Sequence, residues 1–305
     1  MNKEEQENRE PAFKSGFAAI AGAPNVGKST LLNRLVGEKI SIISSKPQTT
    51  RNRIAGIAHG ENFQMVLLDT PGVHRSKRIF NQKIVDVAMS AIDEADIVLV
   101  IADSSRPDSA SESLIVEKLQ PKSAIPAILA LNKIDLVEKP KLLEQIDRWS
   151  KTYEFAEIVP VSAKEGTQLP ELMEAMAKLL PEGPPYYPED ALTDMPERFI
   201  VAEMIREKVF EKTGQEIPYS TAVTIEDFTE DPERGRVSIH AAIHVERNSQ
   251  KGIIIGRQGQ MLKEIGTEAR KDIEGLLATP VFLKLFVRVE KNWSKNTKAI
   301  RKLGY

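Results

Sequence analysis

Short apolar runs alternate with helical patterns over the first 180 residues. The runs Phe17–Ala21, Met65–Asp69, Ile97–Asp103, Ala127–Asn132 and Glu157–Ser162 are nearly continuous in apolar residues and end at turn formers. Strands of this kind are buried on both faces, which predicts a mostly parallel sheet. Between them Lys28–Val36, Asn81–Glu94, Glu112–Leu119, Lys141–Thr152 and Glu171–Leu180 have helical spacing. The pattern predicts a doubly wound α/β domain over 16–180, preceded by a polar segment, 1–15, expected to be flexible. Residues 181–196 hold five of the eighteen prolines and predict an extended linker. A helix is expected over Glu197–Lys212, with Asp194 as its capping candidate. Strands follow at Thr221–Phe228 and Arg236–Glu246, then a turn at Gly256–Gly259. A helix striped with Leu262, Ile265, Ala269, Ile273 and Leu276 leads to a strand at Val281–Val289. The order α-β-β-α-β predicts a smaller α+β domain over 197–305.

Composition removes several chemistries. The chain of 305 residues has no cysteine, so thiol nucleophiles, thiolate metal sites and disulfides are excluded. The N-terminal stretch lacks the apolar core of a signal peptide, and no apolar run is long enough to span a bilayer, so a cytoplasmic protein is expected. The net charge of −2 conceals an asymmetry: residues 181–245 carry −8 and residues 246–305 carry +7. A basic end on an otherwise near-neutral protein is an RNA-binding footprint. No DNA partner is expected.

Gly22-Ala23-Pro24-Asn25-Val26-Gly27-Lys28-Ser29, followed by Thr30, fits a P-loop between a strand and a helix. Its backbone N–H groups would cradle phosphates, Lys28 would reach the β- and γ-phosphates, and Ser29 would ligate Mg²⁺. Asp69-Thr70-Pro71-Gly72 ends the second run, where Asp69 would hold Mg²⁺ through water and the Gly72 N–H would meet the γ-phosphate. Asn132-Lys133-Ile134-Asp135 follows the fourth run. The Asp135 carboxylate can accept from both the ring N–H and the amine of guanine, whereas adenine would set a lone pair against it. Ser162-Ala163-Lys164 would add a backbone N–H to the guanine oxygen. Taken in order, these motifs resemble a small GTPase domain of the translation-factor-related class.

That resemblance places the first switch loop at Ile40–Arg53, with Thr49 or Thr50 as the Mg²⁺-ligating threonine. Ras-like proteins carry glutamine after the D-x-x-G glycine to orient the attacking water. Val73 stands there instead, so water must be oriented by other groups and slow intrinsic turnover is expected. Pro24-Asn25 resembles relatives activated by K⁺, which makes Asn25 a candidate K⁺ ligand.

Gly256-Arg257-Gln258-Gly259, after Ile253, Ile254 and Ile255, resembles the G-x-x-G turn of a KH domain, whose bare backbone approaches single-stranded RNA. The three isoleucines would floor a base groove. Lys263, Lys291, Lys295 and Lys298 would meet phosphates, with the Trp293 indole stacking or packing. The sequence P-N-V-G-K-S-T, P-Q-T-T-R and D-T-P-G-x-H, followed by a type II KH domain, resembles the Era family of bacterial GTPases. The resemblance implies binding of GTP and GDP, hydrolysis, maturation of the small ribosomal subunit through the 3′ end of 16S rRNA, and peripheral attachment to the inner membrane.

Overall fold

The computed structural model describes residues 12–44, 50–72, 90–122, 124–214, 217, 220–233 and 235–303. The chain divides into two compact units. Within the described residues the first holds 12–40, 52–72 and 90–194, and the second holds 41–44, 50–51 and the residues from Met195 onward. Thr49, Val73 and most of the helix expected over Asn81–Glu94 lie outside the described residues; 90–93 are helical.

The first unit is built on a six-stranded sheet. Its strands are β1 (Lys14–Gly22), β2 (Ile54–Gly60), β3 (Phe63–Asp69), β4 (Ile97–Asp103), β5 (Ala127–Asn132) and β6 (Glu157–Pro160), in the order β2-β3-β1-β4-β5-β6. All pairings are parallel except β2 with β3. Helices α1 (Lys28–Val36), α2 (Ser109–Leu119), α3 (Lys139–Thr152) and α4 (Leu169–Leu179) complete it. The central strands β4 and β5 are buried along their whole length, as their unbroken apolar runs predict. β2 was not predicted: Ile54-Ala55-Gly56-Ile57-Ala58-His59-Gly60 contains two glycines and follows the expected switch loop without a break. Antiparallel pairing to β3 organises it, from Ile54↔Asp69 to Gly60↔Phe63.

The proline-rich stretch is extended but not a free linker. Ile57 donates its N–H to Leu192 O at 2.9 Å, and Thr193 Oγ1 donates to Ala55 O at 2.6 Å, so residues 192–193 cover the outer edge of β2. The Gln64 side chain accepts from the N–H groups of Tyr186 and Tyr187 and donates to Tyr187 O at 2.8 Å. An open edge is a template for unwanted pairing, and this strap occupies it.

In the second unit, α5 (Glu197–Lys212) precedes the hairpin β7 (Ala222–Asp231) and β8 (Arg236–Val245). Then come α6 (Asn248–Ile255), α7 (Gln260–Leu277), β9 (Val281–Val289) and the short α8 (Thr297–Lys302). The sheet order is β7-β8-β9, antiparallel then parallel. Two expectations are corrected. Asp194 does not cap α5; Pro196 occupies that position, without a side-chain cap. A helix, α6, also precedes the glycine turn, giving α-β-β-α-α-β. Its sequence hid it, since Gly252 and three β-branched isoleucines are poor helix formers. Gln250 starts the helix by accepting from the N–H groups of Glu246 and Arg247 at 2.9 and 3.0 Å, and it is itself fixed to Ser220 Oγ at 2.8 Å.

Candidate nucleotide and RNA sites

β1 runs into the loop Ala23–Gly27, and α1 begins at Lys28. The Lys28 ammonium is buried and donates to Ala23 O at 2.8 Å and Gly22 O at 3.2 Å. Burial pushes its pKa from 10.5 down to about 8, against the opposing pull of the Asp69 carboxylate. Ser29 Oγ donates to Asp69 Oδ2 at 2.7 Å, and Asp69 is fully buried at the end of β3. A hydroxyl and a carboxylate held together beside the phosphate loop are the hard oxygen donors that Mg²⁺ takes, so the residues present fit that ion. Thr70 Oγ1 ties the end of β3 to Ile20 O at 2.7 Å. Any side chain at Gly72 would come within 2.7 Å of the Pro24 backbone, so only glycine lets this loop lie against the P-loop.

The motifs expected to meet the base form a second wall. Asn132 Nδ2 donates to Val26 O at 2.7 Å, while its Oδ1 accepts from the Ala163 N–H at 2.9 Å. One buried amide thus joins the P-loop to the loops after β5 and β6. Asp135 is exposed, and its Oδ1 accepts from Ser162 Oγ at 2.6 Å, which orients the carboxylate. Ala163 spends its N–H on Asn132. Lys164 is exposed, paired to Glu165 at 2.9 Å, and its carbonyl accepts from Arg34 at 2.7 Å.

Sequence reasoning missed Asp103. Lys133 has a left-handed backbone (φ 65°), and its Nζ donates to Asn25 O at 2.8 Å and Asp103 Oδ2 at 2.6 Å. Burial pushes the Asp103 pKa upward, but hydrogen bonds from Lys133 and Ser105 outweigh it and hold the carboxyl below the usual 3.8. The signal was available: Asp103 ends a central strand, as Asp69 does, and such positions face the ligand crevice.

Of the two switch threonines, Thr50 is described. It is buried and belongs to the second unit, whereas Ser29 and Asp69 belong to the first. Its neighbour Arg51 donates to Thr221 O at 2.7 Å and lies 5.9 Å from the ring centroids of both Phe210 and Trp293. Ile43 donates its N–H to Glu207 at 2.9 Å.

The glycine turn of the second unit joins α6 to α7. Gly256 has φ 72° and a Cβ there would meet Met261 at 2.6 Å, so glycine is required; Arg257 and Gln258 are exposed beside it. Helical geometry splits the three isoleucines. Ile254 is in the core and Ile253 is 51% exposed, with Ile255 between them, so they do not form one apolar floor. Lys263, Lys291, Lys295 and Lys298 are all exposed. Trp293 packs: it is 1% exposed, donates Nε1–H to Ser220 O at 3.0 Å, and clusters with Ala222, Ile300 and Leu303. Of the two roles left open for the indole, stacking or packing, the structure shows packing.

Phosphate loop, the oriented Asp135 carboxylate and glycine turn together mark a P-loop GTPase joined to a KH unit. Residues 17–133 match the family model described as 50S ribosome-binding GTPase, and residues 216–294 match the KH domain. A GTPase Era from Geotalea uraniireducens is 55% identical, with 97% of this chain and 99% of the relative aligned. That from Geobacter metallireducens is 53% identical over 96% and 98%. Two solved structures match with TM-score 0.92, each over 96% of this chain and 99% of its own. One is a substituted Aquifex aeolicus Era bound to GDP·AlF4⁻, 40% identical; the other is Era with MgGDPNP and nucleotides 1506–1542 of 16S ribosomal RNA, 41% identical. The chain belongs to the Era family of GTPases.

Proposed function

We propose that this protein is a GTP-hydrolysing switch that binds 16S rRNA near its 3′ end and acts in assembly of the small ribosomal subunit. The observation that carries this reading is a guanine site with its carboxylate oriented, in one chain with an exposed Arg257–Gln258 turn between two helices. The solved Era with a 16S rRNA fragment supports the choice of RNA. Lys28 and the P-loop N–H groups bind the phosphates, Asp135 selects guanine, and Asn132 and Lys133 hold the base loop against the P-loop. Ser29 and Asp69, with Thr49 or Thr50, hold Mg²⁺, which neutralises charge on the transferred phosphoryl group. Arg257, Gln258 and the exposed lysines approach RNA phosphates.

Asn25 is exposed on the P-loop, and we assign it to K⁺; equal GTPase rates in KCl and NaCl would remove that assignment. No helix among the described residues is long and apolar enough to cross a membrane. Membrane attachment is accordingly proposed only as peripheral, and failure to co-sediment with anionic vesicles would exclude it. The main test measures GTP hydrolysis and binding of an RNA with the 16S 3′ sequence by wild type and the Arg257→Asp/Gln258→Asp variant. The variant is expected to lose RNA affinity and retain GTP binding. Undiminished RNA binding would overturn the assignment of the turn.

A further inference from the structure

β9 shows two faces. Val281, Leu283, Leu285 and Val287 join the core beneath the helices, with Leu285 against Gly266 of α7. The alternate residues Phe282, Lys284, Phe286 and Arg288 point to the opposite side of the sheet. That side exposes two phenyl rings, 46% for Phe282 and 37% for Phe286. In the parallel register of β8 and β9, His240 pairs with Lys284, midway between them. Its ring centroid lies 6.5 Å from Phe282 and 6.3 Å from Phe286. Both contacts are edge-to-face, with ring planes at 68° and 84°.

Each phenyl also carries a cation. Arg236 stands 5.4 Å from the Phe282 centroid and Lys284 5.1 Å from that of Phe286. The nearby acids are partly engaged: Glu226 pairs with Arg288, Asp231 is 3.9 Å from Arg236, and Asp227, opposite His240 in the β7–β8 register, accepts from Thr229 Oγ1 at 2.9 Å. These acids lie on β7, which confines an anionic ligand to the β8–β9 half of the face.

We propose that Phe282, His240 and Phe286 form a second single-stranded RNA platform, on the side of the sheet away from the helices that flank the Gly256–Gly259 turn. An apolar protein surface seated here would bury the charge of Lys284 without an ion-pair partner, which is costly. A strand of RNA satisfies both features, since its bases stack on the rings while its phosphates meet the cations. The proposal rests on the RNA-binding reading above and extends it from one contact region to two.

The test is RNA titration of the full chain with strands of four and about twelve nucleotides, because a KH turn clamps four. The decisive variant is Phe282→Leu/Phe286→Leu, which keeps apolar area but removes the π faces. It is expected to bind the longer strand about ten-fold more weakly and the four-nucleotide strand as wild type does. Lys284→Ala is expected to make the salt dependence shallower by about 0.7 for one lost phosphate contact. GTP binding and circular dichroism confirm folding of each variant. Wild-type affinity of the leucine variant for the longer strand would refute stacking and leave this face to a protein partner. Equal losses on both strands would mean the rings act on the turn. If the wild type binds neither strand, it is the RNA-binding reading itself that fails.

Discussion

Lys28 places a positive charge in a buried site before any phosphate arrives. Its fall from 10.5 to about 8 is caused first by desolvation, with Asp69 offsetting only part of it. At ~1.36 kcal/mol per pKa unit, the buried ammonium costs the nucleotide-free fold about 3 kcal/mol at pH 7. Between pH 8 and 10.5 the unfolded chain holds more protons than the folded one, so stability rises with pH in that window. The cost is complete below pH 8 and gone above 10.5. Lys28→Met keeps the stem and removes the charge, so its stability should lack this rise. The stability difference between variant and wild type is expected to change by about 2 kcal/mol, in favour of wild type, from pH 7 to 9.5. The chain has two tryptophans, and Trp149 is buried in the first unit. Urea unfolding of nucleotide-free protein, followed by Trp149 fluorescence in a Trp293→Phe background, therefore reads the relevant unit. Parallel pH profiles for the two proteins would refute the reasoning. Phosphate binding should also restore the lysine charge, so GDP binding near pH 8.5 should take up protons, measurable by calorimetry in buffers of different ionisation heat.

Asp135→Asn should weaken GTP and favour xanthosine triphosphate, whose base offers an oxygen where guanine has an amine; competition binding with the two nucleotides checks this. Asp103→Asn removes the charged partner of Lys133 and should speed release of a fluorescent GDP about ten-fold or more, with the melting curve little changed; an unaltered release rate would detach Asp103 from the nucleotide site. Trp293→Ala should cost about 3–5 kcal/mol of stability in the second unit through its lost core packing, and denaturant melts would show it.

The parallel sheet is legible along the chain, because strands buried on both faces need unbroken apolar runs, and those runs are visible at Ile97–Asp103 and Ala127–Asn132. The candidate nucleotide site was legible there too, since Lys28, Ser29, Asp69 and Asp135 sit at fixed spacings from strand ends. Contacts between distant segments decided the rest. β2 exists because β3 supplies its hydrogen bonds, and Leu192 and Thr193 cover its other edge. α6 starts where it does because Gln250 is held by Ser220, thirty residues away. Trp293 lies in a basic, exposed-looking stretch, yet Ser220 and Ala222 draw it inside; burying a large ring outweighs what its neighbours suggest. The pairing of Asp103 with Lys133, and the ring contacts across β8 and β9, depend on which strands lie side by side, and that order is a property of the sheet rather than of any one segment.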